Sequence, residues 1–182
     1  GDAGAFFTNN ENFYKIAYSA HLHGMGSKKY EYDRIGMNGR IDTIQAAILI
    51  EKLKIFKSEL INRDKLAKHY KRQFLDLGTN IKLPKVISGA TSSWAQFTIQ
   101  LPLNCDREDF QTKMKEKGIP TAIYYPIPIH CQKPYKKFPI SSDNLQNTNF
   151  LSNCVISLPM HAYLSFEDIE YISKAAHDII NN

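Results

Sequence analysis

The stretch Gly36-Met37-Asn38-Gly39-Arg40-Ile41-Asp42-Thr43-Ile44-Gln45-Ala46-Ala47 decides how the rest of the chain is read. It is a loop with two glycines and two polar side chains, Asn38 and Arg40, running into an apolar helix. Asp42, with Gln45 three residues on, has the spacing of a capping box. The helix is therefore expected to start at about Thr43, where backbone N–H groups carry partial positive charge. Asn38 and Arg40 stand just outside that end. An amide donor and a forked guanidinium beside a glycine-relaxed backbone suit phosphate oxygens. The same residues also fit a plainer reading, a capped core helix whose arginine makes an ordinary surface pair.

On the N-terminal side, 1–8 is short and apolar before Asn9-Asn10 and reads as a strand ending in a turn. A helix from Glu11 to about His21 places Phe13, Ile16, Ala17 and Ala20 on one stripe, and His23-Gly24-Met25-Gly26 breaks it. The tyrosine-rich 27–34 is expected to be a mobile loop. On the C-terminal side, Ile44, Ile48, Leu49, Leu53, Phe56 and Leu60 make a broad apolar face that calls for burial on more than one side. A second helix, 62–77, carries Leu66, Tyr70, Phe74 and Leu77 and stops at Gly78.

From there the pattern is α/β. Residues 81–84 are extended, and 93–101 alternates Trp94, Phe97, Ile99 and Leu101 as a strand. Asp106 caps a helix with Phe110 and Met114 that ends at Gly118, and a strand is expected over 121–125. The proline-rich 126–139 is an irregular loop, because proline cannot donate to a ladder. The apolar 149–156 reads as a further strand, and Ser165 caps a closing helix that turns Ile169, Ile172, Ala176 and Ile179 inward.

Composition narrows the class. At 43% hydrophobic and 23% charged, the 182 residues are ordinary globular material. No apolar run approaches the roughly 20 residues of a membrane span, so the expectation is a cytoplasmic protein with no membrane partner. Cys105, Cys131 and Cys154 are odd in number and widely spaced, which fits reduced thiols. The six histidines form no His-x-x-x-His pair, so no metal site is expected. His130 beside Cys131 raises a thiol-nucleophile reading, but neighbours in a proline-bounded loop point apart rather than converge. The net charge of +5 raises a nucleic-acid reading. Its lysines, from Lys52 to Lys71 and again from Lys133 to Lys137, are spread out and punctuated by acids, which describes solvated helix faces better than a basic patch.

Five stretches, in order, are similar to the DegT/DnrJ/EryC1/StrS family of sugar aminotransferases: Gly1-Asp2-Ala3-Gly4-Ala5-Phe6-Phe7-Thr8; His23-Gly24; Asn38-Gly39-Arg40 with Gln45-Ala46-Ala47; Pro120-Thr121-Ala122-Ile123-Tyr124-Tyr125-Pro126 with His130 and Gln132; and Ser157-Leu158-Pro159-Met160. The resemblance implies a pyridoxal 5'-phosphate (PLP) enzyme of fold type I that aminates nucleotide-linked keto-sugars, in amino-sugar biosynthesis for surface glycans. It implies a homodimer with shared active sites and glutamate as amino donor. It also implies that 1–40 is the incomplete tail of the PLP-binding large domain, 41–78 a helical linker, and 79–182 a complete small C-terminal α/β domain.

In the family the lysine that forms the Schiff base lies a few residues ahead of the Gly-Asp-x-Gly-Ala stretch, so it would precede Gly1. None of the lysines here holds that position, and the isolated chain is expected to be inactive. What the resemblance assigns to this chain is a half-site. Asn38 would bind the cofactor phosphate, Arg40 the substrate diphosphate, and Tyr124, Tyr125 and His130 the nucleotide-sugar. Tyr124 stands where relatives more often have histidine. A second reading keeps the fold without the chemistry, as a non-catalytic module that dimerises or binds a nucleotide-sugar.

Overall fold

A computed structural model of the chain describes residues 2–141 and 144–181. It forms two compact units, Gly1–Phe56 and Lys57–Asn182.

In the first unit, α1 (Glu11–His21) begins where the sequence places it. Asn10 caps it by accepting from the N–H groups of Asn12 and Phe13 at 3.0 and 3.1 Å. Residues 2–8 form no strand, because no neighbouring segment offers them a ladder, and Gly1 lies outside the described residues. The 27–34 segment is folded back on itself. Gly26 donates to the Glu31 carbonyl (2.8 Å) and Asp33 to the Gly24 carbonyl (2.9 Å).

Helix α2 (Thr43–Asp76) starts at Thr43, where the sequence places it, but among the described residues no first-turn N–H bonds to the Asp42 side chain, so the capping box does not form. Its first ladder bond runs from the Ala46 N–H to the Asp42 carbonyl at 2.8 Å. Gln45 does not turn back on Asp42 with its amide group. It donates to the Asp2 carbonyl at 3.2 Å, which ties the N-terminal segment to the first turn of α2.

The helix is also continuous over 34 residues where the sequence suggested two helices. The apolar stripe changes phase near residue 61, but neither glycine nor proline stands there to stop propagation. The earlier stripe is largely exposed, with Ile44 at 77%, Ile48 at 61% and Leu53 at 59%. The later one, Leu66, Tyr70 and Phe74, is buried. Gly78, in the left-handed region (φ 63°), ends α2 in a Schellman motif: Thr79 donates to the Phe74 carbonyl and Gly78 to the Leu75 carbonyl.

The second unit is built on a small antiparallel sheet. Strands β1 (Phe97–Gln100) and β2 (Val155–Leu158) pair with Phe97 opposite Leu158 and Gln100 opposite Val155. Lys82 extends the sheet beyond β1, and Ala122 extends it beyond β2 through two bonds with Ser157. Three helices accompany it: α3 (Arg107–Glu116), α4 (Gln146–Cys154) and α5 (Phe166–Asn181).

Local caps act where expected. Asp106 accepts from the N–H groups of Glu108 and Asp109, and bonds from Asp109 and Glu108 hold its carboxyl below the usual carboxylate range. Ser165 and Asp168 cap α5 reciprocally, at 2.9 and 3.0 Å. The core joins Tyr70 and Phe74 of α2, Phe97 and Ile99 of β1, Phe110 and Met114 of α3, Ile156 of β2, and Ile169 and Ala176 of α5. The Tyr70 hydroxyl donates to the Pro159 carbonyl at 2.9 Å, and burial pushes this phenol well above its ordinary pKa.

Two strand expectations need correction. Residues 149–156 are the end of α4 followed by the start of β2, because the ladder that would make a strand begins only at Val155. Residues 121–125 pair at Ala122 alone and then leave the sheet toward Pro126, which has no N–H to give. Among the described residues, no helix is long and apolar enough to cross a membrane.

Candidate functional site

The loop carrying Asn38 and Arg40 is fixed by the C-terminal end of α1. That end leaves carbonyls without helical partners. Met37 donates to the Ala20 carbonyl and Gly39 to the His21 carbonyl, both at 2.8 Å, while the Met37 carbonyl accepts from His23 at 2.9 Å. Gly36 makes this approach possible. A Cβ there would stand 2.2 Å from the Gly24 nitrogen and 2.4 Å from the Ala20 oxygen. The glycines thus seat the backbone against α1 and leave the side chains outside.

Asn38 and Arg40 are both exposed and joined to each other, with Arg40 Nε donating to Asn38 Oδ1 at 3.0 Å. That bond has two consequences. The Asn38 oxygen is engaged while its amide nitrogen keeps its donor capacity, and the terminal nitrogens of the Arg40 fork remain for an anion. The plainer reading of Arg40, a surface ion pair, does not occur among the described residues, since its partner is an amide.

The remaining predicted residues lie in the second unit, around a cleft of about 940 Å³. Tyr124 and Tyr125 line it with 44% and 72% exposure and meet edge to face, ring centroids 5.7 Å apart. His130 sits on a short 3-10 turn, Ile129–Cys131, inside the proline-rich loop and lines the same cleft. Ile127, Tyr135, Phe138 and Leu151 supply apolar wall. The arrangement is an aromatic and aliphatic trough with phenol and imidazole groups at its surface, able to hold a ligand that is part apolar and part hydroxylated.

One residue in this cleft region was not foreseen from the sequence. Asn149, on α4, takes His130 Nε2 on its Oδ1 at 2.8 Å and donates from Nδ2 to the Asn144 carbonyl at 3.0 Å. The sequence carries no signal for it, since Asn149 opens a stretch read as a strand and its helix is seen only in the structure. The thiol of Cys131 also reaches toward Asn149 Oδ1, at 3.9 Å, rather than toward His130, so the thiol-nucleophile reading finds no support in the geometry. Among the described residues, no cluster of three or more His, Cys, Asp or Glu side chains is placed to hold a metal.

Comparison with known proteins agrees with the sequence resemblance. The chain is 35% identical over 179 residues to the UDP-2-acetamido-2-deoxy-3-oxo-D-glucuronate aminotransferase of Pseudomonas aeruginosa, covering 96% of this chain and 46% of that protein. The crystal structure of a DegT DnrJ EryC1 StrS aminotransferase from Brucella abortus superposes with a TM-score of 0.85 at 35% identity, over 97% of this chain and 46% of that one. NtdA from Bacillus subtilis, solved with bound cofactor PMP, superposes with a TM-score of 0.80 at 28% identity, over 96% of this chain and 41% of that one. The chain spans less than half the length of these relatives. The model of the DegT/DnrJ/EryC1/StrS aminotransferase family matches residues 1–177, and the chain belongs to that family.

Proposed function

We propose that the chain is the C-terminal part of a cytoplasmic, PLP-dependent aminotransferase acting on a nucleotide-linked keto-sugar, with glutamate as amino donor. In this reading 1–40 closes a large cofactor domain, 41–78 is the helical linker, and 79–182 is the small domain. The active protein is a homodimer. The exposed apolar stripes of α1 and α2, with Phe13, Ile16, Ile44 and Ile48, are surface that a partner or further sequence would cover.

The observation that carries the reading is the loop at Asn38 and Arg40. Its backbone is pinned to α1, its two side chains are coupled and exposed, and between them they offer amide and guanidinium donors at the start of a helix. A donor set of this kind fits a phosphate group, and so fits PLP. Asn38 would hold the cofactor phosphate. When bound, PLP supplies the electron sink for exchanging an amino group with a carbonyl.

The residues of this chain bind and orient. Arg40 receives the substrate diphosphate, and Tyr124, Tyr125 and His130 receive the nucleotide-sugar. Binding energy from these remote groups positions the sugar carbonyl. The lysine bonded to the cofactor belongs to sequence ahead of the Gly-Asp-x-Gly-Ala stretch. The 182-residue chain alone, incubated with PLP and borohydride, is therefore expected to give no stoichiometric adduct at a single lysine. Mass spectrometry showing one such adduct would refute that placement.

Arg40→Lys in the full-length enzyme tests the site. It keeps the charge and removes the fork. The expected result is a rise in KM for the nucleotide-sugar worth about 1.5 to 3 kcal/mol, with PLP retention unchanged. Asn38→Ala should weaken PLP retention first. If Arg40→Lys sheds cofactor and keeps its nucleotide-sugar KM, the two roles are reversed.

A further inference from the structure

We propose that Asn149 is a positioning residue for the cleft, one that holds the His130 ring with its hydrogen on Nε2 and leaves Nδ1 as the atom offered to a ligand. The inference rests on the reading above, in which the cleft takes the nucleotide-sugar.

The orientation of the Asn149 carboxamide is fixed at both ends. Its Nδ2 donates to the Asn144 carbonyl at 3.0 Å, and a carbonyl can only accept. Turned over, the group would set Oδ1 against that carbonyl oxygen, two acceptors facing each other. Oδ1 therefore faces His130 Nε2 at 2.8 Å, and the nitrogen there must carry the hydrogen. The Cys131 thiol pointing at the same oxygen, at 3.9 Å, is a second and weaker donor that only an acceptor suits.

The backbone of Asn149 is anchored as well. Its N–H donates to the Leu145 carbonyl at 3.0 Å, and its own carbonyl accepts from the Ser152 hydroxyl and the Asn153 amide. A short turn in a proline-rich loop would leave an imidazole free to choose its tautomer; the link to α4 makes the choice for it. In the neutral ring Nδ1 is then a lone-pair acceptor. Among the described residues it has no hydrogen-bond partner, and His130 lines the cleft beside Tyr124 and Tyr125. An acceptor among phenols fits a ligand that brings its own donor, such as a sugar hydroxyl.

The test uses the full-length protein labelled with ¹⁵N-histidine, the His130 signals being assigned by their loss in His130→Gln. Wild type should show the Nε2–H form at neutral pH. Asn149→Leu removes the acceptor and should release the ring to a mixture of tautomers. Asn149→Asp keeps an acceptor oxygen while losing the bond to Asn144, so at a pH where the ring is neutral it should retain the hydrogen on Nε2, which separates the effect on His130 from any loosening of the loop. In kinetics, Asn149→Leu should raise the nucleotide-sugar KM about three- to tenfold with kcat little changed, and Asn149→Asp should recover most of that loss. An Nδ1–H ring in wild type, or an unchanged ring in Asn149→Leu, overturns the proposal. A KM unmoved in His130→Gln overturns instead the assignment of the nucleotide-sugar to this cleft, and the nitrogen signals then decide the role of Asn149 separately.

Discussion

Phe97→Ala is expected to cost the protein about 3 to 5 kcal/mol of stability, the range for emptying a fully buried aromatic site. Phe97 has no exposed surface and stands where three parts of the core meet. Its ring stacks on Tyr70 of α2 at 4.6 Å and 18°, it lies 5.9 Å from Trp94, and its backbone pairs with Leu158 of β2. Removing the ring leaves both neighbours facing a void that the sheet, held by its ladder, cannot close. Phe97→Leu keeps much of the volume and loses the stacking, so a cost of roughly 1 to 2 kcal/mol is expected. Urea unfolding followed by Trp94 fluorescence measures both, and the midpoint for Phe97→Ala should fall by about 2 M. An alanine variant that unfolds within about 1 kcal/mol of wild type would mean that β1 is not anchored through this ring.

What the sequence made legible was what is settled within four residues. Asp106 and Ser165 cap helices by bonds to N–H groups two or three positions on, and Gly78 stops α2 by a backbone angle that favours glycine. What it hid was settled at a distance. The strand expected over 149–156 begins only at Val155, because the Phe97–Gln100 segment and Ala122 lie far away in the chain and determine where pairing starts. The alternation of 93–101 was misleading in one detail. Trp94 and Phe97 have opposite parity, yet both are buried, because Trp94 takes a left-handed angle (φ 47°) and the indole turns inward to donate to Asp64 at 3.2 Å.

The candidate site divides in the same way. Asn38 and Arg40 stand out as candidates through glycine spacing, a helix start close by in sequence and the family resemblance taken together. The bond from His130 to Asn149 spans 19 residues and a change of element, so no local pattern could reveal it.

Gly36→Ala should disable the Asn38 and Arg40 loop altogether, an effect different in kind from removing either side chain. The added methyl would meet the Gly24 nitrogen at 2.2 Å and the Ala20 oxygen at 2.4 Å, both backbone atoms that cannot swing aside as a side chain would. Those atoms are already engaged: Gly24 donates to the Ser19 carbonyl and Ala20 accepts from Met37. To admit the methyl, the loop has to lift from the end of α1, breaking the Met37–Ala20 and His23–Met37 bonds and leaving helix-end carbonyls without protein partners. The expected cost is about 3 kcal/mol or more, the upper part of the range for overpacking.

Gly4→Ala is the matched control, because nothing lies within 4 Å of its added Cβ. Amide exchange at His23, Met37 and Gly39 should quicken by about two orders of magnitude in Gly36→Ala and stay unchanged in Gly4→Ala. On the roles proposed above for Asn38 and Arg40, Gly36→Ala in the full-length protein should weaken PLP retention and raise the nucleotide-sugar KM together, since the two side chains lose their common support, whereas Asn38→Ala and Arg40→Lys each move one of the two. Equal exchange rates in the two glycine variants would show that the loop is not seated against α1. Normal exchange at these amides combined with lost activity would place the damage in the chemistry rather than in the presentation of the two side chains.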